Sequence, residues 1–116
     1  MSLLLFDRDN LKIENKLFFF QNQGHSIRSA HSIKEFESLL LLNSIHLVIA
    51  NWNTFPEHEK IIDRCKYQEL PIIFFFDNWN EEEINAAFKA GANDIMVFPF
   101  RPTELTFRLG RWLNKV

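Results

Sequence analysis

The stretch Ala87–Leu105 reads AFKAGANDIMVFPFRPTEL and joins two predicted helices through one short apolar run. Gly91 follows the last apolar position of the first helix and ends it. The run Ile95–Phe98 has the length and composition of a strand. Pro102 falls in the first turn of the last helix, where its missing N–H is not needed. The stretch therefore predicts a helix–strand–helix unit, the repeating element of an α/β protein.

The same alternation continues toward the N-terminus. Short apolar runs predict five strands, at Leu3–Phe6, Ser26–Ala30, His46–Ala50, Pro71–Phe76 and Ile95–Phe98. Apolar spacings of three and four predict five helices, at Asn10–Gln21, Ser32–Leu42, Pro56–Tyr67, Asn80–Ala90 and Pro102–Lys115. Strict alternation indicates a parallel sheet, and central strands that are apolar throughout indicate helices on both of its faces.

The bulk composition narrows the function classes. A chain of 116 residues is expected to form one domain spanning residues 1–116. A formal charge of −2 shows no electrostatic footprint for nucleic acid. No apolar run approaches the roughly 18 residues of a membrane span. The single cysteine, Cys65, is typical of a reducing compartment, so a cytoplasmic location is expected.

Functional sites of open parallel sheets form in the loops that follow the carboxyl ends of the strands. In this sequence those loops begin at Asp7-Arg8-Asp9, Asn51-Trp52-Asn53, Phe76-Asp77-Asn78 and Phe98-Pro99-Phe100. None of these loops is rich in Gly, Ser or Thr, which a phosphate cradle requires. A small flavodoxin-like binder of a nucleotide or flavin is therefore the weakest of the functions considered.

These strand edges resemble the receiver domain of bacterial response regulators, which is CheY-like. The resemblance covers almost the whole chain and rests on the order of LLLFDRDN, HLVIANWN, ELPIIFFF and AFKAGANDIMVFPFRPTEL. It implies a flavodoxin-like (βα)5 three-layer sandwich with strand order 2-1-3-4-5. Working receivers accept a phosphoryl group on one Asp and hold Mg²⁺ with that Asp and an acid pair. They bind the phosphoryl oxygens with a Thr or Ser and a Lys.

The resemblance places the phosphoacceptor on Asn51, whose neutral amide is a poor nucleophile. It places the acid pair on Asp7 and Arg8, so a cation replaces one of the carboxylates that Mg²⁺ prefers. The hydroxyl, lysine and aromatic-switch positions fall on Phe76, Phe98 and Ile95. Four of the five functional positions have changed, which predicts a degenerate pseudo-receiver that is not an enzyme and holds neither metal nor cofactor.

An arginine plug is the predicted replacement for the metal. Arg8 would pair with Asp7 and donate to the amide oxygen of Asn51. Phe76 and Phe98 would close the mouth of the pocket. Asp9 is a further acid that could enter the site.

The leading function is a non-catalytic signalling module of a two-component or phosphorelay system, acting by phosphorylation-independent protein–protein interaction. The alternative is a receiver with residual phosphoacceptor chemistry at another aspartate. Expected partners are a kinase, an output domain or a second copy, with a homodimer through the last helix. Trp79 and Trp112 are the interface candidates, because tryptophan is enriched at binding hot spots. Trp52 is left open between packing and anchoring, and Phe107 is considered as a core residue.

Overall fold

The computed structural model describes residues 1–8, 15, 17–18, 21–22, 24–42, 44–53 and 56–113. The strands are β1 (Ser2–Phe6), β2 (Ser26–Ala30), β3 (Leu47–Asn51), β4 (Ile72–Phe76) and β5 (Asp94–Val97). The helices within this part are α1 (Ile33–Leu40), α2 (His58–Tyr67), α3 (Glu81–Ala90) and α4 (Pro102–Leu113). The helix predicted at Asn10–Gln21 and the candidate acid Asp9 fall largely or wholly outside the described residues.

All four strand pairings are parallel, and the sheet order is β2-β1-β3-β4-β5, as the resemblance implied. Phe6 pairs with Ala50, and Asn51 pairs with Phe75, so the carboxyl ends of the three central strands meet at one edge. β3 extends one residue beyond its predicted end, and β5 begins and ends one residue early. The reason is that pairing with the neighbouring strand sets these limits rather than local hydrophobicity.

The sheet separates two hydrophobic cores, because successive side chains of a strand point to opposite faces. In β4, Phe74 and Phe76 belong to the first core, whereas Ile73 and Phe75 belong to the second. All four are at most 2% exposed. Phenylalanine side chains of this strand thus contribute to the hydrophobic core on each face of the sheet.

Side-chain caps begin two of the helices where the sequence predicts them. Ser32 Oγ accepts a hydrogen bond from the backbone N–H of Glu35 at 3.1 Å. Asn80 Oδ1 accepts one from the N–H of Glu83 at 3.0 Å. These bonds satisfy amide groups that have no partner within the first turn of a helix.

Candidate functional site at the carboxyl edge of the sheet

Asn51 is the last residue of β3 and is 3% exposed. Its Nδ2 donates to Oδ2 of Asp7 at 3.3 Å, and its Oδ1 accepts from the backbone N–H of Asn53 at 2.9 Å. Since a backbone N–H can only donate, the second bond fixes which end of the amide faces Asp7. A carboxylate at this position could accept the hydrogen bond from the N–H of Asn53 equally well, but its charge would repel the carboxylate of Asp7.

Asp7 follows β1 directly and is 1% exposed. Its backbone N–H donates to the carbonyl of Ala30 at 3.1 Å, and its own carbonyl accepts from Nδ1 of His31 at 2.9 Å. The buried carboxylate is therefore held in place between the ends of β2 and β3. The structure brings together Asp7 and Asn51, two of the residues that the sequence placed in one pocket.

The predicted arginine plug is wrong. Arg8 is exposed, and within the described residues no ion pair joins it to Asp7. Among the described residues, the amide of Asn51 donates a hydrogen bond to the buried carboxylate. The physical reason is desolvation: a guanidinium loses much hydration when it is buried, whereas an amide donor fills the same place at lower cost.

Phe76 and Phe98 do not form a shared lid over the pocket. Phe76 is fully buried in the first core, with its ring centroid 5.7 Å from that of Trp52. Phe98 is half-buried and packs edge-on against Phe100 of the second core at 5.6 Å. Phe76 pairs with Val97, so Phe98, the next residue, points to the opposite face of the sheet.

Asn53 links the ends of β3 and β4, a role that the sequence analysis did not assign. Its Oδ1 accepts from the backbone N–H of Asp77 at 2.9 Å, and its Nδ2 lies 3.4 Å from Oε2 of Glu83 on α3. The signal was present in the sequence, because asparagine just after a strand commonly bonds to nearby backbone groups.

Trp52 packs inside the protein, which excludes the anchor interpretation. It is 8% exposed, and its ring stacks on that of His58 with centroids 3.5 Å apart. Phe74 meets its edge at 5.0 Å. The carbonyl of Trp52 accepts a hydrogen bond from Nε2 of His58 at 2.6 Å. The loop after β3 is therefore fastened to the start of α2.

The exposure of the remaining aromatic candidates differs from the prediction. Trp79 is 69% exposed in the loop after β4. Trp112 is half-buried against the second core, and its Nε1 donates to Oδ2 of Asp94 at 3.2 Å. Phe107 is 77% exposed, so its interpretation as a core residue is wrong. The switch-equivalent Ile95 is half-buried against the first core.

Asp94 is a buried carboxylate that the sequence analysis missed. Its Oδ1 accepts from Nη1 of Arg108 at 2.7 Å and from the backbone N–H of Ile95 at 2.9 Å. With the bond from Trp112, both oxygens have partners, and the start of β5 is tied to α4. These partners lie 14 and 18 residues away, so no local pattern announces them.

The donor set at the sheet edge does not fit the magnesium site of the resembled family. An octahedral cation needs oxygen lone pairs, yet the amide of Asn51 turns an N–H toward Asp7. Within the described ranges, no group of three or more His, Cys, Asp or Glu side chains is arranged to hold a metal ion. No helix in the same ranges has the length and apolar character that crossing a bilayer requires.

Comparison with known proteins agrees with the fold. No family model matches the sequence. A CheY homolog from Campylobacter jejuni is 29% identical over 94 residues, which are 74% of this chain and 72% of that protein. CheY1 of Helicobacter pylori is 28% identical over 89 residues, covering 72% and 71% of the two chains.

A two-component response regulator from Clostridium difficile superposes with a TM-score of 0.87 at 17% identity, covering 99% of this chain and 97% of that one. At this identity the superposition shows a shared fold, and the chemotaxis relatives supply the sequence relationship. Strand order, the order of the strand-edge segments and these relatives lead to one conclusion: the chain has the fold of the CheY-like receiver domains of two-component response regulators and is similar to them in sequence.

Proposed function

We propose that this receiver domain signals without accepting a phosphoryl group and acts by contact with a protein partner. The proposal is supported by the amide of Asn51, the residue that the resemblance assigns to the phosphoacceptor position. Both ends of that amide are already used, one by Asp7 and one by Asn53. Response regulators work through protein partners such as kinases and output domains, and this chain is expected to do the same.

Phosphoryl transfer to this site lacks a nucleophile. An aspartate attacks phosphorus with an anionic oxygen, whereas the amide oxygen of Asn51 is neutral and accepts a hydrogen bond. The charge on the phosphoryl oxygens must also be neutralised by a cation, and the oxygens must be held by hydrogen bonds. At the two positions that would do this, Phe76 is fully buried and Phe98 lies against Phe100.

The same substitutions remove the usual means of switching. In a working receiver, the phosphoryl group biases a two-state element through its charge. Phe76 offers no hydroxyl to be drawn inward, and Ile95 offers no ring to follow it. The domain is therefore expected to hold one dominant conformation that a partner recognises.

The proposed partner surface comprises α3, β5 and α4, with the loop that carries Trp79. Exposed aromatic side chains mark it: Trp79 at 69%, Phe88 at 46% and Phe107 at 77%. Exposed large aromatic residues are the residue type that most often anchors a protein interface. The partner is a kinase, an output domain or a second copy of the chain.

A phosphodonor assay tests the proposal. The protein is incubated with acetyl phosphate and Mg²⁺ and measured by intact mass, beside a response regulator with an intact phosphoacceptor as the positive control. We expect no phosphoryl adduct on the chain, and no movement of backbone amide signals on adding beryllofluoride. A stable adduct on Asp7, Asp9 or Asp77 would instead support the unconventional phosphoacceptor.

A further inference from the structure

An open groove of about 310 Å³ lies between the last turns of α1 and α2. One wall comes from α1 and the other from α2, with Glu37, Leu40 and Leu41 on the first and Arg64, Tyr67 and Gln68 on the second. A smaller cavity of about 130 Å³ adjoins the groove and shares Leu40 and Gln68 with it. Both helices return the chain to the amino edge of the parallel sheet, so the groove lies far from the pocket of Asp7 and Asn51.

The groove is bordered by large apolar side chains that the fold does not bury. Leu41 is 76% exposed on one wall and Tyr67 is 88% exposed on the other. Leu42, the residue after Leu41, is 54% exposed, whereas Leu40 is buried in the first core. Scattered apolar residues are normal on a protein surface, but a group of them around a groove is typical of a contact site.

Each helix carries one stripe of side chains along the groove. Residues at spacings of three and four share one side of a helix, and the two sets are Lys34, Glu37 and Leu41 on α1 and Lys60, Arg64 and Tyr67 on α2. Leu41 caps α1 with helical backbone angles, so it continues the first stripe. In each stripe a cation comes first, and an exposed apolar side chain follows seven positions later, about 10.5 Å along the helix axis.

The two stripes carry an excess of positive charge. Oε1 of Glu37 lies 3.4 Å from Nζ of Lys60, and its Oε2 lies 3.0 Å from Nη2 of Arg64. One carboxylate therefore serves two cations, and Lys34 on the same side of α1 adds a third. More than half of the Lys60 and Arg64 side chains is exposed, so both ion pairs are weak and a further carboxylate can join them at little cost.

Neighbouring acidic residues lie on other sides of the two helices. Glu59 lines the cleft between α2 and Ala86 of α3, and Asp63 follows Glu59 at a spacing of four, so it shares that side. On α1, Glu35 is two positions from Glu37, a spacing at which side chains do not face the same way. The surface between α1 and α2 therefore favours an anionic group next to an apolar one.

The distance between the charged and the apolar part fits an α-helix. A partner must place a carboxylate against the cations and an apolar side chain about 10.5 Å further along, against Leu41 and Tyr67. Residues seven positions apart on a helix span this distance and share one side. Residues on one face of a β-strand are about 6.6 or 13 Å apart, so an extended segment fits the two parts less well.

We propose that the groove between α1 and α2 receives an amphipathic helix of the protein partner. Carboxylates of that helix meet Lys60 and Arg64, and apolar side chains seven positions away on the same stripe cover Leu41 and Tyr67. The inference rests on the proposed function in that it supposes a protein partner, but it assigns a second contact surface, apart from α3, β5 and α4. It does not depend on whether Asn51 accepts a phosphoryl group.

The test titrates a synthetic helix into the ¹⁵N-labelled domain and follows the backbone amide signals by NMR. The probe is an acetylated and amidated alanine-based peptide of about 18 residues, with Glu in two successive turns and Leu seven positions after each Glu. We expect saturable shifts confined to the amides around the groove, those of Glu37, Leu41, Arg64, Tyr67 and Gln68.

Two control peptides separate the contribution of charge from that of apolar contact. Replacing both Glu residues by Gln removes the charge and should weaken binding about fivefold or more. Moving both Leu residues by two positions keeps the composition but takes them off the stripe, and should also weaken binding about fivefold or more. Circular dichroism checks that all three peptides are equally helical.

Variants of the domain locate the site. Arg64→Gln and Leu41→Ser should each weaken binding about fivefold. Lys66→Gln is the matched control, because it removes a positive charge from the same helix, but the end of the Lys66 side chain lies beside Gly91 at the end of α3. It should change the affinity less than about twofold. Equal losses in Arg64→Gln and Lys66→Gln, equal binding of either control peptide, or shifts spread over the surface would each overturn the proposal.

Sedimentation velocity of the domain alone tests a second copy as the occupant. We expect wild type and Leu41→Ser to sediment alike, whereas self-association that Leu41→Ser abolishes would give the groove to a second copy and overturn the proposal. No phosphodonor enters these experiments, so their failure leaves the phosphorylation result standing. Likewise, an adduct found in the phosphodonor assay would leave saturable binding of the helix in the groove unaffected.

Discussion

Glu69 and Gly91 close two successive helices with the same backbone motif, although their side chains suit it unequally. Each lies just past its helix with positive φ, 57° for Glu69 and 120° for Gly91. Each motif has two hydrogen bonds that run back to carbonyls of the last helical turn. After α2, the N–H of Leu70 donates to the carbonyl of Cys65 and that of Glu69 to the carbonyl of Lys66. After α3, the N–H of Ala92 donates to the carbonyl of Ala87 and that of Gly91 to the carbonyl of Phe88. Glycine adopts this conformation freely, whereas a side chain brings Cβ close to the backbone.

Replacing Glu69 by glycine is therefore expected to stabilise the domain by about 0.5–1 kcal/mol. The gain should appear as a higher urea midpoint with an unchanged m-value. Glu69→Gln is the matched control, because it removes the charge but keeps Cβ, and it should leave the midpoint in place. A gain of the same size in both variants would attribute the effect to charge and not to the backbone.

The converse change, Gly91→Ala, should destabilise by about 2 kcal/mol. A Cβ at this position would meet the end of the Lys66 side chain and would lie 3.2 Å from Cγ2 of Ile62. Urea unfolding of Gly91→Ala beside Gly24→Ala separates the effect of crowding from that of φ, because Gly24 also has positive φ but an added Cβ there would have no described atom within 4 Å. Equal losses at the two glycines would mean that the crowding at Gly91 is unimportant.

Asn51→Asp tests the electrostatics of the pocket that holds Asp7 and Asn51. A carboxylate would then face Oδ2 of Asp7 at the position of an amide that now lies 3.3 Å away, and both groups are nearly fully buried. We expect a loss of about 2 kcal/mol in unfolding free energy at pH 7. Like charges raise the pKa of one member of the pair, so the loss should shrink as the pH falls toward about 4.

The measurement is urea unfolding at several pH values, with Asn53→Asp as the control at an exposed position. Asn53→Asp keeps an acceptor for the N–H of Asp77 but brings a carboxylate beside Oε2 of Glu83; because this position is exposed, its cost and its pH dependence should still be smaller than those of Asn51→Asp. If Asn51→Asp is as stable as the wild type at neutral pH, the amide of Asn51 is not needed to hold the carboxylate of Asp7.

The fold was predictable because its signals are local and repeated. Apolar runs defined all five strands to within a residue or two, and the caps at Ser32 and Asn80 began their helices where expected. In the last helix, the spacing of apolar residues also distinguishes the buried side chains from the exposed ones. Leu105, Leu109 and Trp112 follow one another at spacings of four and three, which places Trp112 on the buried stripe and Phe107 off it.

The errors at the site concern free-energy differences that depend on how deeply a side chain is buried and on which groups surround it in the folded protein. The sequence favours Arg8 in the pocket because its charge is opposite to that of Asp7, but it does not show how much free energy the dehydration of a guanidinium costs at that depth. Nor does sequence show that Asp94 meets Arg108 and Trp112, since those contacts arise only when α4 packs beside β5. Long-range polar contacts of this kind have no periodic pattern.

The contacts of Asp94 should contribute measurably to stability. Trp112→Phe keeps an aromatic ring against the core but loses the donor to Oδ2, so a cost of about 1 kcal/mol is expected. Arg108→Leu removes the ionic partner of a buried carboxylate and should cost more, about 2 kcal/mol after allowance for its partial exposure. A double-mutant cycle with Asp94→Asn measures the coupling, and additive losses would show that the contacts are independent.

The thiol of Cys65 should be inert in the folded domain. The residue is fully buried on α2, and burial raises the pKa of the thiol to about 12. At pH 8 it therefore remains protonated, and reaction with a disulfide reagent should proceed only as fast as the protein opens. Unfolded protein in urea is the control and should react at once; a fast reaction in the native state would contradict this burial.

A related pH effect follows from the same shift. The unfolded thiol ionises at lower pH than the folded one, so this group favours folding fully below pH 9 and loses that contribution as the pH rises toward about 12. Cys65→Ala should consequently show a weaker fall in unfolding free energy above pH 9 than the wild type, although it is less stable at pH 7 because it leaves a small cavity. A parallel fall in both proteins would assign the alkaline loss to other groups.

Phe107 provides the sharpest test of the proposed partner surface, because its role in folding is small. With 77% of the side chain exposed, Phe107→Ser should change the unfolding free energy by less than about 0.5 kcal/mol. If α4 carries a contact to a second copy, sedimentation velocity should show weaker self-association in this variant than in the wild type. Tyr67→Ser is the matched control, since Tyr67 is 88% exposed but lies at the end of α2, away from that surface. Equal association in all three proteins would rule out Phe107 as an anchor of a homodimer.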